Sequence, residues 1–232
     1  MNGVALVVGV GPGLGGAIAR RFAREGFRVA LFARSSGFIN ELARELSSAG
    51  ERSMALVADA GQPEQLSSAI RKVRAELGPI SVLVHNASAS SGDGLIGTSA
   101  AEFEATWRIA ALGAFVCARE TAPDMIAAGS GAMVFTGATS SVRGGGWLAF
   151  SSAKFALRGL AQSLARELWP QGIHVAHVVV DGIIGPSGTA ESDEPTLQPD
   201  RMADAYFQLA QQDRSAWTLE LDLRPHRERF FE

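Results

Sequence analysis

A cluster of glycines follows the first apolar run of the chain. Its members stand at alternate positions: Gly9, Gly11, Gly13 and Gly15. Since glycine has no Cβ, such a segment can turn tightly and let its backbone approach a pyrophosphate. A helix that opens within it, near Leu14, would direct free N–H groups and the positive end of its dipole at the phosphates. A glycine-rich turn can also serve packing alone, but the order strand, turn, helix favours dinucleotide binding.

A second group of polar side chains lies at the end of the next predicted strand. Nineteen residues after Gly15 stands Arg34, followed by Ser35 and Ser36. An NAD enzyme usually places an acidic residue here, where it binds the ribose 2′-hydroxyl. A guanidinium would instead bind a 2′-phosphate with two parallel hydrogen bonds, and the serine hydroxyls could assist. The alternative is a solvated surface arginine. The segment therefore predicts NADP as the cofactor, with NAD disfavoured.

Short β-branched runs alternate with stretches of helical periodicity along the whole chain, which is typical of βαβ units. Strands are predicted over residues 4–10, 28–33, 53–58, 81–86, 132–136, 174–180 and 217–223. Helices are predicted from about 13 to 25, then over 38–49 and 63–77, from 99 to about 128, from about 147 to 171, and over 202–211. We therefore expect one α/β domain over residues 1–232, a doubly wound, Rossmann-like parallel sheet of about seven strands with helices on both faces.

The composition narrows the range of functions. The chain has 232 residues with 47% hydrophobic and 19% charged residues and a net charge of -3. It lacks the positive charge that a nucleic-acid binder needs, and no apolar run approaches the roughly 18 residues of a membrane span. No export signal is visible, and the single cysteine, Cys117, cannot form an internal disulfide. We expect a cytoplasmic protein whose partner is a small-molecule substrate, with no nucleic acid and no membrane.

The chain resembles the short-chain dehydrogenase/reductase family from Val4 to about Ile184, and more loosely to Leu223. The motifs that carry the resemblance are the glycine spacing Gly9-x-x-x-Gly13-x-Gly15, Asp59-Ala60 after the third strand, His85-Asn86-Ala87 in place of Asn-Asn-Ala-Gly after the fourth, and Phe150-Ser-Ser-Ala-Lys154, which is similar to Tyr-x-x-x-Lys. The resemblance implies that Asp59 contacts the adenine and that Lys154 binds the nicotinamide ribose. It implies further cofactor contacts at Leu14, Ala60, Asn86, Ala87, Gly182 and Ile184.

The departures from the family pattern concern the proton donors. In typical members a lysine lowers the pKa of a tyrosine one helical turn away, and the tyrosine passes a proton to the substrate oxygen. The tyrosine position is Phe150, which has no proton to give. The expected serine falls on Ala138 or Gly137, and the expected asparagine on Ala110. Because a positioned acid is worth about 10² to 10⁴ in rate, ordinary ketone reduction would be slowed by orders of magnitude unless other groups act instead.

Several groups could act instead of the missing donors. Those within reach are Thr139, Ser140 and Ser141 after the fifth strand, Ser151 and Ser152 beside Phe150, and Asp181 after the sixth strand. For each of them the other interpretation is a turn or capping hydroxyl, or a solvated carboxylate. We assign the catalytic role to Lys154, Thr139 and Ser140. The chain also resembles an atypical subgroup of the family that carries the same Phe-x-x-x-Lys segment.

Two functions of different classes remain open. The first is an NADP-dependent oxidoreductase that acts on a small carbonyl or alcohol substrate with a non-standard proton source. The second is a catalytically silent cofactor-binding protein that serves as a sensor, scaffold or partner of another enzyme. A polar, aperiodic segment over 185–200 reads as a loop that covers the substrate. The resemblance implies a homodimer or homotetramer that associates through the two long helices.

The histidines and the cysteine do not predict a metal site. His174 and His177 are three residues apart on a strand, so their side chains should point to opposite faces of the sheet. Cys117 lies in an alanine-rich stretch, where it reads as a small buried hydrophobe. We interpret His85, at the end of the fourth strand, as a packed or hydrogen-bonded residue rather than a proton carrier.

Overall fold

Seven strands form one parallel sheet in a computed structural model that describes residues 3–89, 94–185 and 196–227. They are β1 (Val4–Val8), β2 (Arg28–Ala33), β3 (Ser53–Val57), β4 (Ile80–His85), β5 (Gly131–Thr136), β6 (Ile173–Val180) and, last in the chain, β9 (Glu220–Leu223); Ile183–Ile184 and Thr196–Leu197 form a separate small pair, β7 and β8. The order in the large sheet is β3-β2-β1-β4-β5-β6-β9. The order reverses between β1 and β4, and such a switch point opens a crevice at the carboxyl ends of the strands. The predicted doubly wound α/β fold is confirmed.

The helices connect these strands and cover both faces of the sheet. Their bounds are α1 (Leu14–Arg24), α2 (Ser36–Ser48), α3 (Pro63–Leu77), α4 (Gly94–Gly97), α5 (Ala100–Trp107), α6 (Gly113–Ala128), α7 (Leu148–Leu168) and α8 (Pro199–Ala210). Helix α5 begins with the expected capping box, in which Ser99 and Glu102 satisfy each other's backbone N–H groups. Helix α3 begins with Pro63 and ends at Gly78, whose positive φ of 98° suits glycine.

The core consists of two apolar layers, one on each side of the sheet. Side chains of α3, α6 and α7 pack on one face, and those of α1, α2 and α8 pack on the other. Strands β1 and β6 are buried along their whole length, as their continuous apolar runs predict. Burial on both faces fixes the sheet as a rigid support for the residues at its carboxyl edge.

Three predicted elements need correction. The helix predicted from 99 to about 128 is interrupted by a π-helical segment, Arg108–Leu112, because the chain accommodates one extra residue per turn there. The helix predicted to 171 ends at Leu168 and tightens into a 3₁₀ turn that contains Pro170. The alternating segment 217–223 is a strand only over Glu220–Leu223, with exposure alternating as expected.

The loop predicted over 185–200 is wrong at its far end. Residues 186–195 lie outside the described residues. Thr196–Leu197 pairs with Ile183–Ile184, and α8 already begins at Pro199, since proline at the first helical position loses no hydrogen bond. Within the part of the chain that the structure describes, no helix combines the length and the apolar character needed to cross a bilayer.

Candidate functional site

The glycine turn lies at the switch point, between the end of β1 and the start of α1. Gly9 has a φ of 89°, and a Cβ at this position would collide with the backbone of Ala87. In front of Gly11 and Gly13 the space is open, because a Cβ on either would meet no described atom within 4 Å. Helix α1 begins at Leu14 with no side-chain cap from the described residues. The positive end of its dipole therefore remains available to an anion.

A cavity of about 370 Å³ extends from this turn toward β2 and β3. Arg34 and Ser35 lie exposed at one end of it, and Arg34 forms no ion pair with another described residue. Asp59 lies at the same end, where its Oδ1 accepts a hydrogen bond from the backbone N–H of Gly61 at 2.8 Å. The structure thus brings together the residues predicted to bind the adenosine half of a cofactor, including Gly9, Gly11, Ala60, Asn86 and Ala87.

A second cavity, of about 560 Å³, continues the first toward β5 and β6. Asn86 and Ser88 line both, so the two form one crevice along the carboxyl edge of the sheet. The amide Nδ2 of Asn86 donates to the carbonyl oxygen of Gly9 at 3.0 Å and so fixes the boundary between them. The second cavity contains most of the other predicted site residues: Gly13, Leu14, Ala138, Thr139, Ser140, Phe150, Lys154, Gly182 and Ile184. Gly15 lines neither cavity; it is buried in the first turn of α1, where a Cβ would clash with the carbonyl oxygen of Gly9.

The crevice fits a dinucleotide. It places a guanidinium at one end, a glycine-lined anion site in the middle and a buried ammonium at the other end. The glycines leave the backbone uncovered where a pyrophosphate would approach. Arg34, the glycine turn and Lys154 could therefore contact the adenosine end, the pyrophosphate and the nicotinamide ribose of a dinucleotide in that order.

Lys154 is the only lysine or arginine on the wall of the second cavity, counted over the described residues. It is 2% exposed, and its Nζ donates to the carbonyl oxygen of Thr136 at 2.7 Å. The same Nζ lies 5.4 Å from the centre of the Phe150 ring. Burial disfavours the charged amine and lowers its pKa to about 8. Lys154 can therefore exchange a proton near neutral pH.

The hydroxyls predicted to replace the missing donors separate into two groups. Thr139 and Ser140 line the cavity, and the hydroxyl of Thr139 donates to Oδ1 of Asp181. Ser141, in contrast, is buried, and its Oγ accepts from the backbone N–H of Ala138 at 3.1 Å. Ser151 and Ser152 are not on the wall of either described cavity. Thr139 and Ser140 thus lie on the cavity wall, with the proton of Thr139 bonded to Asp181, whereas Ser141, Ser151 and Ser152 line neither cavity.

The three positions without donors lie at different depths. Phe150 and Ala138 are on the cavity wall, whereas Ala110 is buried in the π-helical segment and lines neither described cavity. Gly137 also lines the cavity, but a Cβ there would clash with His177 and with Oγ of Ser141. A serine at position 137 would therefore clash with these side chains, whereas position 138 already carries a Cβ on the cavity wall.

Two of the histidines lie beneath the ammonium end of the crevice. His85 is fully buried, and neither ring nitrogen has a hydrogen-bond partner among the described residues. Burial and the positive charge of Lys154 lower its pKa to about 3, so the ring is neutral and packed. His177 Nδ1 lies 3.1 Å from Oε2 of Glu220, and burial lowers its pKa to about 4.

His174 belongs to the opposite face, where its nitrogens lie 2.9 and 2.8 Å from the carbonyl oxygens of Leu209 and Thr218. The two strand histidines therefore point to opposite faces, as predicted from their spacing. Cys117 is buried, which raises the pKa of its thiol. Among the described residues, no three His, Cys, Asp or Glu side chains are grouped so as to hold a metal ion.

Sequence reasoning missed several residues of the crevice. Ser88, Ile109, Thr136, Val180 and Gly185 line it, and Arg224 reaches it through Asp181. Three of these residues end a strand or directly follow one: Thr136, Val180 and Arg224. Since the carboxyl ends of parallel strands share one edge of the sheet, the predicted strands could have placed these residues near the crevice. Ile109 lies within a helix, and only the π-helical segment brings it there.

Comparison with known proteins gives consistent matches. The sequence profile of the short chain dehydrogenase family matches residues 3–195. A short-chain dehydrogenase/reductase of Armillaria gallica is 34% identical over 177 residues, which cover 74% of this chain and 67% of that protein. The crystal structure of a short-chain dehydrogenase from Rhodopseudomonas palustris is 39% identical with a TM-score of 0.86, covering 97% of this chain and 100% of that one. A metagenomic short-chain oxidoreductase in complex with NADP is 28% identical with a TM-score of 0.86, covering 97% and 98%.

Proposed function

Because this chain belongs to the short-chain dehydrogenase/reductase family, we propose that it is an NADP-dependent oxidoreductase that interconverts a small alcohol and its carbonyl compound. The observation that carries this proposal is the continuous crevice between Arg34 and Lys154. When bound, the nicotinamide supplies or accepts the hydride. The residues of the chain then have to orient the two reactants and move one proton.

The choice of NADP rests on Arg34. Its guanidinium is exposed at the adenosine end, pairs with no described carboxylate, and has the hydroxyl of Ser35 beside it in sequence. A guanidinium can bind a phosphate with two parallel charge-assisted hydrogen bonds. A similar protein, the metagenomic oxidoreductase, was solved with NADP, which supports the same choice.

Lys154 is the proton source that the geometry favours. Its ammonium lies at the cavity wall with a pKa of about 8, so both protonation states are accessible near neutral pH. One of its three protons is used on the carbonyl oxygen of Thr136, which leaves two for a ribose hydroxyl and a substrate oxygen. Thr139 and Ser140 add hydroxyls on the same wall.

The arrangement also supports membership of a subgroup in which phenylalanine replaces the catalytic tyrosine. The Phe150 ring lies on the cavity wall beside Lys154, where it can pack against a substrate but cannot give a proton. Ala138, on the same wall, has no hydroxyl. These apolar walls are also what favours the second candidate function, a cofactor-binding protein without turnover.

Consumption of NADPH with a panel of small ketones and aldehydes tests the proposal. We expect turnover that falls as the pH rises through about 8, since Lys154 then loses the proton that it donates. Lys154→Met should reduce kcat by about 10² to 10⁴. The matched control is Lys72→Met, a change at an exposed lysine, which should leave kcat unchanged. NADPH binding without consumption by any panel member would favour the silent function instead, and undiminished turnover in Lys154→Met would contradict the role of the lysine.

We further propose that the chain forms a homodimer or homotetramer through its long helices. Large apolar side chains remain exposed on α5, α6 and α7: Phe103, Trp107, Phe115 and Phe155. Exposed aromatic side chains on neighbouring helices are typical of protein–protein interfaces. A second copy of this chain could cover them.

A further inference from the structure

Three polar side chains meet where β5, β6 and β9 end side by side. Thr139 follows β5, Asp181 follows β6 and Arg224 follows β9. The Thr139 hydroxyl donates to Oδ1 of Asp181, and Nη1 of Arg224 donates to Oδ2 of the same carboxylate. The side chains of Asp181 and Arg224 are only 14% and 12% exposed, so this pair is largely shielded from water. Nη2 of Arg224 binds the carboxylate of Asp222 at 2.7 Å.

Counting protons shows what Thr139 can still offer to the cavity. A hydroxyl has one proton to donate and two lone pairs to accept with. A carboxylate can only accept, so the Thr139 proton is committed to Asp181, whose other oxygen accepts from Arg224. The remaining bonding capacity of Thr139, on the cavity wall, is its lone pairs. In this state the Thr139 hydroxyl can serve a ligand in the crevice only as a hydrogen-bond acceptor.

The bond to Asp181 is not needed to close the turn that carries Thr139. The backbone N–H of Ser141 already donates to the Ala138 carbonyl at 2.7 Å. The N–H groups of Val142 and Arg143 both donate to the Thr139 carbonyl at 3.0 Å. These backbone bonds form the 3₁₀ turn by themselves. The hydrogen bond to Asp181 therefore orients the Thr139 hydroxyl without being required for the turn.

We propose that Asp181 and Arg224 are positioning residues that make Thr139 an acceptor, so that the site selects ligands that carry a hydroxyl donor, that is, alcohols over the matching ketones. This inference rests on the proposed function, in which the substrate oxygen meets Lys154 in the cavity whose wall also carries Thr139. An alcohol hydroxyl can accept from Lys154 and donate to Thr139 at the same time. A ketone can only accept, so its oxygen would face the lone pairs of Thr139 without a hydrogen bond.

A site built to bind a donor discriminates against a ligand that lacks it, because its acceptor is then left unpaired. We therefore expect the wild-type protein to bind an alcohol about tenfold more tightly than the matching ketone. This ratio depends on whether the Thr139 hydroxyl donates its proton to residue 181 or to the ligand. Replacing one oxygen of Asp181 by an NH₂ group should redirect that proton to the ligand.

Asp181→Asn is the decisive variant. Arg224 can only donate, so the amide oxygen of the new side chain must face Arg224 and its NH₂ group must face Thr139. Thr139 then accepts from the amide, and its own proton is released toward the cavity. The expected result is a shift of about tenfold or more in favour of the ketone. Asp222→Asn is the matched control, because it removes the same charge from a second carboxylate that Arg224 binds and should keep the wild-type ratio.

The probes are cyclohexanol and cyclohexanone, each titrated against the protein with the cofactor form with which it cannot react: cyclohexanol with NADPH and cyclohexanone with NADP⁺. The ratio of the two dissociation constants is compared between variants, so the cofactor contribution cancels. Thr139→Val should abolish the preference for cyclohexanol, and Thr139→Ser, which keeps the hydroxyl, should retain it.

Two results would overturn the inference. The first is an Asp181→Asn or Thr139→Val protein that binds NADPH normally and keeps the wild-type ratio within twofold. The second is a wild-type complex that does not bind cyclohexanol at all. Since the titrations need no turnover, a protein that never oxidises NADPH would fail the proposed function and could still show the predicted ratios.

Discussion

Lys154 is a charged side chain in a place that is unfavourable for charge. At 2% exposure its ammonium has lost almost all contact with water, and it is stabilised by the carbonyl oxygen of Thr136 and the face of the Phe150 ring. The Thr136 side chain is held in turn, because its hydroxyl shares a 2.8 Å hydrogen bond with the buried hydroxyl of Tyr206. Burial of the amine is unfavourable for folding, but it lowers the pKa of Lys154 at the position where the proposed reaction needs a proton donor.

The same burial makes stability depend on pH in a defined direction. The folded-state pKa of Lys154, about 8, lies below the ordinary 10.5, so the unfolded chain binds this proton more tightly. The free energy of unfolding should therefore rise between pH 8 and pH 10.5, by about 3 kcal/mol relative to Lys154→Met. Urea unfolding of both proteins at a series of pH values measures the difference, with Lys72→Met as the control. Parallel curves for wild type and Lys154→Met would contradict the burial of a protonatable amine.

At the scale of elements, the crevice depends on a close contact between α6 and the turn after β3. A Cβ on Gly113, the first residue of α6, would clash with the carbonyl oxygen of Ala60. The preceding π-helical segment, Arg108–Leu112, brings Ile109 to the adenosine cavity. Asp59 and Ala60 are therefore held in place by how α6 approaches them.

Gly113→Ala should lower the free energy of unfolding by about 1 to 3 kcal/mol, because an added methyl group in a close-packed contact forces the backbone apart. It should also weaken NADPH binding, since the displaced turn carries Asp59. Gly159→Ala is the control within α7: a Cβ there meets no described atom within 4 Å, so it should stabilise by about 0.5 to 1 kcal/mol. Thermal unfolding and nucleotide titration of both variants test this contact, and a neutral Gly113→Ala would refute it.

At the scale of the whole molecule, the sequence predicts the sheet better than the arrangement of side chains around it. All seven strands of the sheet are predicted within a few residues of their observed bounds, since five of them are largely buried apolar runs and β9 alternates in exposure. The crevice residues next to those strands, such as Arg34 and Asn86, follow from the same pattern because parallel strands end at one edge. Local signals of this kind are readable along the chain.

Contacts between distant segments could not be predicted in this way. The pairing of Arg224 with Asp181 depends on β9 lying beside β6, and strand order is not written in any local pattern. His85 is neutral and has no side-chain hydrogen bond to any described residue because it lies deep in the sheet, and the sequence around it does not reveal that depth. The helix before Gly113 is likewise interrupted next to a close contact with Ala60, which is distant in the sequence.

The exposed aromatic side chains on α5, α6 and α7 give a prediction for the assembly. If a second copy covers them, Phe115→Glu should convert the oligomer to a monomer, because a carboxylate cannot be buried unpaired in an apolar interface. Val57→Glu, at an exposed apolar position on β3, should leave the assembly unchanged. Sedimentation velocity distinguishes the species. A wild-type chain that sediments as a monomer would contradict the proposed association.

Calorimetric titration of the purified chain with NADPH and with NADH tests the central claim most directly, namely that the crevice from Arg34 to Lys154 holds a phosphorylated dinucleotide. We predict that NADPH binds about 10- to 100-fold more tightly than NADH, and that Arg34→Gln removes most of this difference while leaving NADH affinity unchanged. Binding of neither nucleotide would contradict the account of the crevice, and equal affinities in the wild type would contradict the role of Arg34.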